Sequence, residues 1–506
     1  MRLTISVRIF LKECLPSAAK ARAAAVFVAA ILSGLPHSAR AQESVAEKIE
    51  RLDGLMVRVQ ARLEQSEQEL KDIQQQLSAL RGQAGLPEKT APDAEPAASQ
   101  LAAAVEELRE KQDMQESQVA AQEQAKVGSE SRYPVTINGM ILVNGFVNTH
   151  TVDAASTPTI AYSGPGTTGA SLRQTVLGVD ASGPHVFGSQ SHADLRIDFD
   201  GSQQVGAYSS SIGLLRLRTA HAELSWQHTK AFFSFDRPIL SPDSPTSLTA
   251  VAEPALAWSG NLWAWNPQAG VSEELSIHRA SSIQMQAALI DVADPPSLAA
   301  AAVSSPIIAP STAELSRWPG VEARVSVLHP LSDSAVHLAV GGFIAPHRTA
   351  GGTDFNSWAG TMDFKLPVFS HFELEGSAYR GQALGGLGGG AYKDFVYSVY
   401  DGETYFRTLD DMGGWMQAKQ KIGQRIEFNE AIGIDNVPGY QLRPYATPGP
   451  TSYYYLARNR TFTSNVIFKP SAYLLYSIEY RRIESSYVNS STAWSDVIGI
   501  AAGYKF

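Results

Sequence analysis

Beyond Pro134 the apolar and polar positions of this chain alternate with a period of two, and before it the apolar positions recur at spacings of four and three. A period of two puts successive side chains on opposite faces of a strand. Ala193, Leu195, Ile197 and Phe199 thus oppose Asp194, Arg196, Asp198 and Asp200, and Leu474, Tyr476, Ile478 and Tyr480 oppose Leu475, Ser477, Glu479 and Arg481. Sixteen strands are predicted, beginning near Val135, Ser171, Ser191, Leu214, Ala231, Val271, Ser282, Pro319, Ala335, Phe355, Phe372, Gly413, Arg425, Tyr454, Ala472 and Ala493. Around Arg218 the apolar phase slips from Leu215 and Leu217 to Ala220, Ala222, Leu224 and Trp226, which predicts a β-bulge.

The connections alternate long and short. Short ones fall near 183–190, 227–230, 279–281, 330–334, 368–371, 423–424 and 470–471, and long ones include 151–170, 237–270, 293–318, 381–412 and 436–453. A sandwich has no reason to sort loop lengths by parity, whereas a membrane barrel has short periplasmic turns and long outer loops. The expected fold is therefore an all-β transmembrane barrel of about sixteen antiparallel strands over residues 135–506, with both termini periplasmic. A charge facing lipid costs roughly 2–4 kcal/mol at the midplane, so the charged parity must border water. That parity points Arg196, Glu322, Arg324, Glu373, Glu375, Lys419, Lys421, Arg425, Glu427, Glu479 and Arg481 into the lumen as pore-lining candidates. A barrel of this width is too wide to be filled by its own wall side chains and should hold water, and fixed charges in such a channel bias which solutes enter.

Upstream, the pattern is helical. Residues 1–41 read as a signal peptide: Arg2, Arg8, Lys12, Lys20 and Arg22 precede the apolar run Ala23–Leu35, and Ala39-Arg40-Ala41 offers a small-x-small cleavage site. From Val45 to Leu80 the heptad positions are held by Ile49, Leu52, Met56, Val59, Leu63, Leu70, Ile73, Leu77 and Leu80, which predicts a self-associating coiled coil over 42–81, a lone amphipathic surface helix being the other reading. Gly82, Gly85, Pro87, Pro92 and Pro96 mark 82–99 as a flexible linker. A second helical segment with its own linker follows over 100–134, its heptad weakened by Gln112, Gln115 and Gln122.

Composition narrows the function. Charged residues are 18% of the chain and no run of eighteen apolar residues occurs, which argues against helical spans. A net charge of -9 argues against nucleic acid as a partner. Cys14, the only cysteine, lies in the expected signal, so no disulfide is expected in the mature chain. Neither His-Glu-x-x-His, Gly-x-Ser-x-Gly nor a phosphate loop is present, and no catalytic residue, cofactor or metal site is expected. His221 and His228 flank the turn after Trp226 without supporting carboxylates and read as polar surface. An envelope tether anchored by its barrel, or a barrel enzyme with a site spread over loops, are the rival functions.

The chain closes on W-S-D-V-I-G-I-A-A-G-Y-K-F, with Ile498, Ile500, Ala502 and Tyr504 on one face before the terminal Phe506. This resembles the closing strand of bacterial outer-membrane barrels, in which Tyr504 and Phe506 would act as the signal to the barrel assembly machinery. With its signal, coiled coil and linker, the layout is similar to the DcaP-like porins. The resemblance implies a homotrimer in outer-membrane lipid that passes small polar or charged solutes, with a preference for anions. From Val135 onward, however, 24 Lys and Arg stand against 31 Asp and Glu. In trimeric porins the third long loop folds inward; here that loop, 237–270, carries five prolines and Trp258, Trp263 and Trp265. Folded inward it would bring Asp236, Arg237, Asp243 and Glu253 to a constriction; packed outside, it would meet a neighbouring subunit. Both placements are open at this level.

Overall fold

The computed structural model describes residues 133–201, 213–277, 281–296, 310–331, 335–369, 371–445, 455–488 and 490–506. The signal, the coiled coil and the second helical segment lie outside these residues. The described chain is built from β1 (Val135–Val152), β2 (Ala161–Ser171), β3 (Val176–Val186), β4 (Ser189–Asp198), β5 (Arg216–Ser225), β6 (Thr229–Asp236), β7 (Asn266–Ser276), β8 (Ser282–Ile290), β9 (Gly320–Pro330) and β10 (Ala335–Arg348). It continues through β11 (Asp354–Phe369), β12 (Phe372–Gln382), β13 (Phe395–Tyr400), β14 (Glu403–Thr408), β15 (Asp410–Ile422), β16 (Ile426–Asn436), β17 (Leu456–Phe468), β18 (Leu474–Tyr487) and β19 (Ala493–Lys505).

Seventeen of these strands form one antiparallel sheet that closes on itself where β1 pairs with β19, Met140 opposite Lys505 and Asn148 opposite Val497. Along its other edge β1 pairs with β2 through 144–152 and with β3 through 135–140. β2 and β3 are thus one stave broken at 172–175, and the barrel has sixteen staves. Closure leaves this seventeen-strand sheet without a free edge. Phe506 and Gly139 exchange backbone hydrogen bonds at 3.0 and 3.1 Å, which puts both ends of the barrel sequence beside the short turns. One of those turns, at Phe187 and Gly188, has φ of 51° and 77° at its two residues, the left-handed pair that suits a two-residue hairpin.

Each predicted strand has a counterpart, with two differences. The second stave begins at Ala161, because the stretch Ser163–Ala170, rich in glycine and threonine and so loop-like in sequence, pairs with β1 all the same. Within the predicted loop 381–412, β13 and β14 form a separate hairpin. The bulge is where the phase slip placed it: Leu217 opposes Ile197 and Thr219 opposes Arg196, leaving Arg218 as the extra residue.

The outer face carries Ile141, Val143, Val325, Met362, Met416, Ile432, Ile478, Ile498 and Ile500, all exposed. The buried apolar residues lie inside, toward the long loops. There Ile160, Trp258, Tyr392, Leu456, Ile483 and Tyr487 belong to one cluster.

Candidate permeation path

The connection from β6 to β7, residues 237–265, runs through the barrel interior. Its prolines withhold N–H groups and keep it from forming regular structure of its own, so its backbone is tied to the wall instead. Thr361 of β11 donates to the carbonyl of Leu240 at 3.1 Å, and Gln417 of β15 accepts from the Thr246 amide at 2.6 Å. Asn465 of β17 donates to Thr246 at 2.8 Å and Asn144 of β1 to Leu248 at 2.9 Å. Gln174 accepts from Val251 at 2.7 Å, and Arg216 and Arg218 of β5 donate to the carbonyls of Ala252 and Val251 at 2.9 and 2.7 Å. The loop therefore enters the barrel, and of the two placements open from sequence the inward one is observed.

Its last part is clamped by a second loop, the one between β12 and β13. Trp258 stacks on Tyr392 with ring centroids 3.9 Å apart and meets Trp263 edge-on at 5.8 Å. The amides of Gly390 and Ala391 donate to Asp411 at 2.6 Å and Asp435 at 2.8 Å, carboxylates at the ends of β15 and β16. Lys393, fully buried, donates through Nζ to the carbonyls of Ala391 and Leu456 at 2.6 and 2.8 Å. Burial pulls its ammonium down to about 7, against the pull of Asp435 and Asp411. A buried amine so fully engaged is a tie within the loop rather than a group that meets solute.

Inward-facing charge is divided by this arrangement into a covered wall and an open one. On the covered side, Glu322 is 0% exposed and faces the backbone amides of Leu240 and Ile239. Arg324 is held by Asp363 in two bonds of 3.1 and 2.7 Å. Glu375 receives a bond from Gln417 at 2.6 Å, and Glu479 pairs with Arg481 at 2.6 Å. Glu427 pairs with Lys469 at 3.0 Å. Glu373, Glu375, Lys365 and Lys419 form a cluster with separations of 3.3 to 3.6 Å. Lys421 is exposed, and Arg425 sits half-buried beside the short turn before β16.

The open wall is formed by β3 to β6. Arg196 and His221 have side chains 29% and 30% exposed, where those of Arg324 and Glu479 are 3% and 1%. Arg216 pairs with the fully buried Asp198 at 2.7 Å, and Arg218 lies 3.7 Å from the same carboxylate. Both guanidinium groups lie over the ring of Trp265, at 5.1 and 5.3 Å from its centroid. Arg173 adds a third cation beside Asp200 at 3.7 Å. Among the constriction candidates, Asp236 sits at the end of β6 and bonds His221, while Arg237 donates back to Ser244 at 2.5 Å within its own loop. Asp243 faces His337 and Asp363. Glu253 stays on the loop, its carboxyl pushed up to about 8 by burial and by Asp153 and Asp200, against Arg216 and Arg481.

Strand parity did not single out Arg173, Arg216 and Arg218, and Arg425, one of its eleven candidates, lies in the turn before β16 rather than on a strand. The signal available for Arg216 and Arg218 was their alternation with the exposed Leu215 and Leu217, whereas Arg173 lies in the break between β2 and β3. Nor are the histidines alike: His221, read as lacking carboxylates, is bonded at both ring nitrogens, to Asp194 at 3.0 Å and to Asp236 at 2.8 Å.

The described residues thus form a closed sixteen-stranded antiparallel barrel with one loop threaded through its interior. The fold is similar to that of the outer membrane channel DcaP of Acinetobacter baumannii, with a TM-score of 0.57 and 14% identity, over 76% of this chain and 100% of that one. More distant are the anion-selective porin from Comamonas acidovorans (TM-score 0.45, 10% identity, 74% of this chain, 100% of that one) and Salmonella typhi OmpF in complex with daunomycin (0.45, 9%, 74% and 98%). No protein-family model matches the chain, and no curated protein matches it.

Proposed function

We propose that this chain is an outer-membrane porin through which small polar or charged solutes diffuse passively, and that it is not an enzyme. The observation that carries the reading is the exposed charged strip on the inner face of β3 to β6, inside a barrel whose outer face is apolar. Such a strip offers solutes fixed charges in place of lost hydration, while the loop along the remaining wall narrows the way. The fold likeness to a protein described as an outer membrane channel supports it.

In this reading the short turns and both termini face the periplasm, and the expected signal peptide delivers the chain there. The heptads from Ile49 to Leu80 form a stalk that joins copies of the barrel. A homotrimer is supported by the outward face of β17 to β19, where Arg482 bonds Glu484 at 3.0 Å and Asp496 at 3.1 Å and Arg460 also reaches Glu484. Charges turned outward are costly against hydrocarbon and fit contact with another subunit better. The strand ending in Tyr504 and Phe506 is the element presented to the assembly machinery. Liposome swelling tests the reading: vesicles carrying the purified chain should swell in isosmotic small sugars and amino acids, and swelling no faster than in protein-free vesicles would count against it.

A further inference from the structure

We propose that the open inner wall holds a binding site for a first-row divalent transition metal, built from Asp180, His192 and Asp194, with His221 bracing Asp194 and Asp236 holding His221. The sequence scatters these residues over four strands, and the antiparallel register gathers them: Asp180 opposes Asp194 and Asp194 opposes His221. Ligand atoms of Asp180, His192 and Asp194 all lie within 4.8 Å of one another. His192 Nε2 is 3.9 Å from Asp194, and His221 Nδ1 is 3.0 and 3.1 Å from its two oxygens. One imidazole and two carboxylates make a donor set that zinc, nickel or copper can take, imidazole favouring these over the harder magnesium or calcium.

The support around the donors has the form such sites take. A ligating carboxylate is commonly held in its turn by a hydrogen-bonding partner, which fixes its orientation. His221 Nε2 meets Asp236 at 2.8 Å, which leaves Nδ1 aimed at Asp194. The cation now serving this pair of carboxylates is Arg196, 2.7 Å from Asp180 and 3.7 Å from Asp194. Asn138 also donates to Asp180. All three donors are partly exposed on the open wall, so an ion can reach them from the lumen. A second grouping, Asp243, His337 and Asp363, is filled by the buried guanidinium of Arg324, which bonds both His337 and Asp363.

The site is independent of whether solutes permeate, so its test is binding. Zinc chloride is titrated calorimetrically into the tag-free full chain in detergent, alongside His192→Ala, Asp194→Asn, Arg196→Gln and His228→Ala, each checked for β-sheet circular dichroism. One zinc per chain is expected, weakened about tenfold or more in His192→Ala and Asp194→Asn. Binding should tighten in Arg196→Gln, which removes the competing cation, and stay unchanged in His228→Ala. His192 is the most exposed of the three ligands, so its variant remains informative if the others fold poorly. Unchanged binding in His192→Ala, or no binding by either the parent or Arg196→Gln, would overturn the proposal.

Discussion

The carbonyl oxygen of Ser259 rests where Gly433 has no side chain: a Cβ at Gly433 would stand 2.1 Å from that oxygen. At the neighbouring strand β15, Gly260 stands against the wall at Gly414 in the same manner, a Cβ on it falling 2.1 Å from the Gly414 carbonyl. Gly260 also has φ of 96°, a conformation that favours glycine. Loop backbone therefore lies directly on wall backbone, and the wall glycines are what allow a loop this deep inside.

Gly433→Ala should push this segment off the wall. Overpacking of this kind costs about 1–3 kcal/mol, so the variant should melt earlier in detergent. Its single-channel conductance should differ from the parent's because the loop is displaced. Equal conductance and equal melting would mean that the contact does not position the loop.

Glu253 makes the lumen sensitive to alkaline pH. Its carboxyl titrates at about 8 when folded and near 4.5 when free, so the folded chain holds a proton that the unfolded chain has lost. Stability present below the lower value is therefore lost as pH rises toward the upper one. Glu253→Gln should melt like the parent near pH 4 and progressively higher than the parent up to about pH 8. In salt-gradient recordings, the parent's reversal potential should move toward cation preference between about pH 7 and 9, and that of Glu253→Gln should not.

Arg324 and Asp363 face each other across β10 and are almost wholly buried. Removing one partner leaves an uncompensated charge, a loss of about 3–5 kcal/mol, whereas replacing both by apolar residues of similar volume is often close to neutral. Arg324→Gln should therefore unfold at lower urea concentration than the paired Arg324→Met, Asp363→Leu change. Tryptophan fluorescence during urea unfolding would check the order.

Legibility in the sequence followed the range of the interaction. Strands such as β18 were readable because Leu474, Tyr476 and Ile478 record their own environment. The hairpin of β13 and β14 was missed inside the predicted loop 381–412, although Asp401 and Gly402, with φ of 50° and 79°, are the Asp-Gly pair that signals such a two-residue turn. Exposure was not readable. Glu322 and Arg196 share the same inward parity, yet one is sealed by Leu240 and the other is open, because the loop's path is set by partners such as Gln417 and Asn465 that lie far along the chain. The bracket of Asp194, His221 and Asp236 needed cross-strand register, which alternation alone does not supply.

The central claim is that water fills part of this barrel and joins its two ends. Single-channel recording of the purified full chain in a planar bilayer tests it most directly. Discrete, stable conducting steps in potassium chloride, present without any added ligand, are the expected result. Folded, inserted protein that gives no steps would show that the loops seal the lumen, and the permeation reading would fall with it.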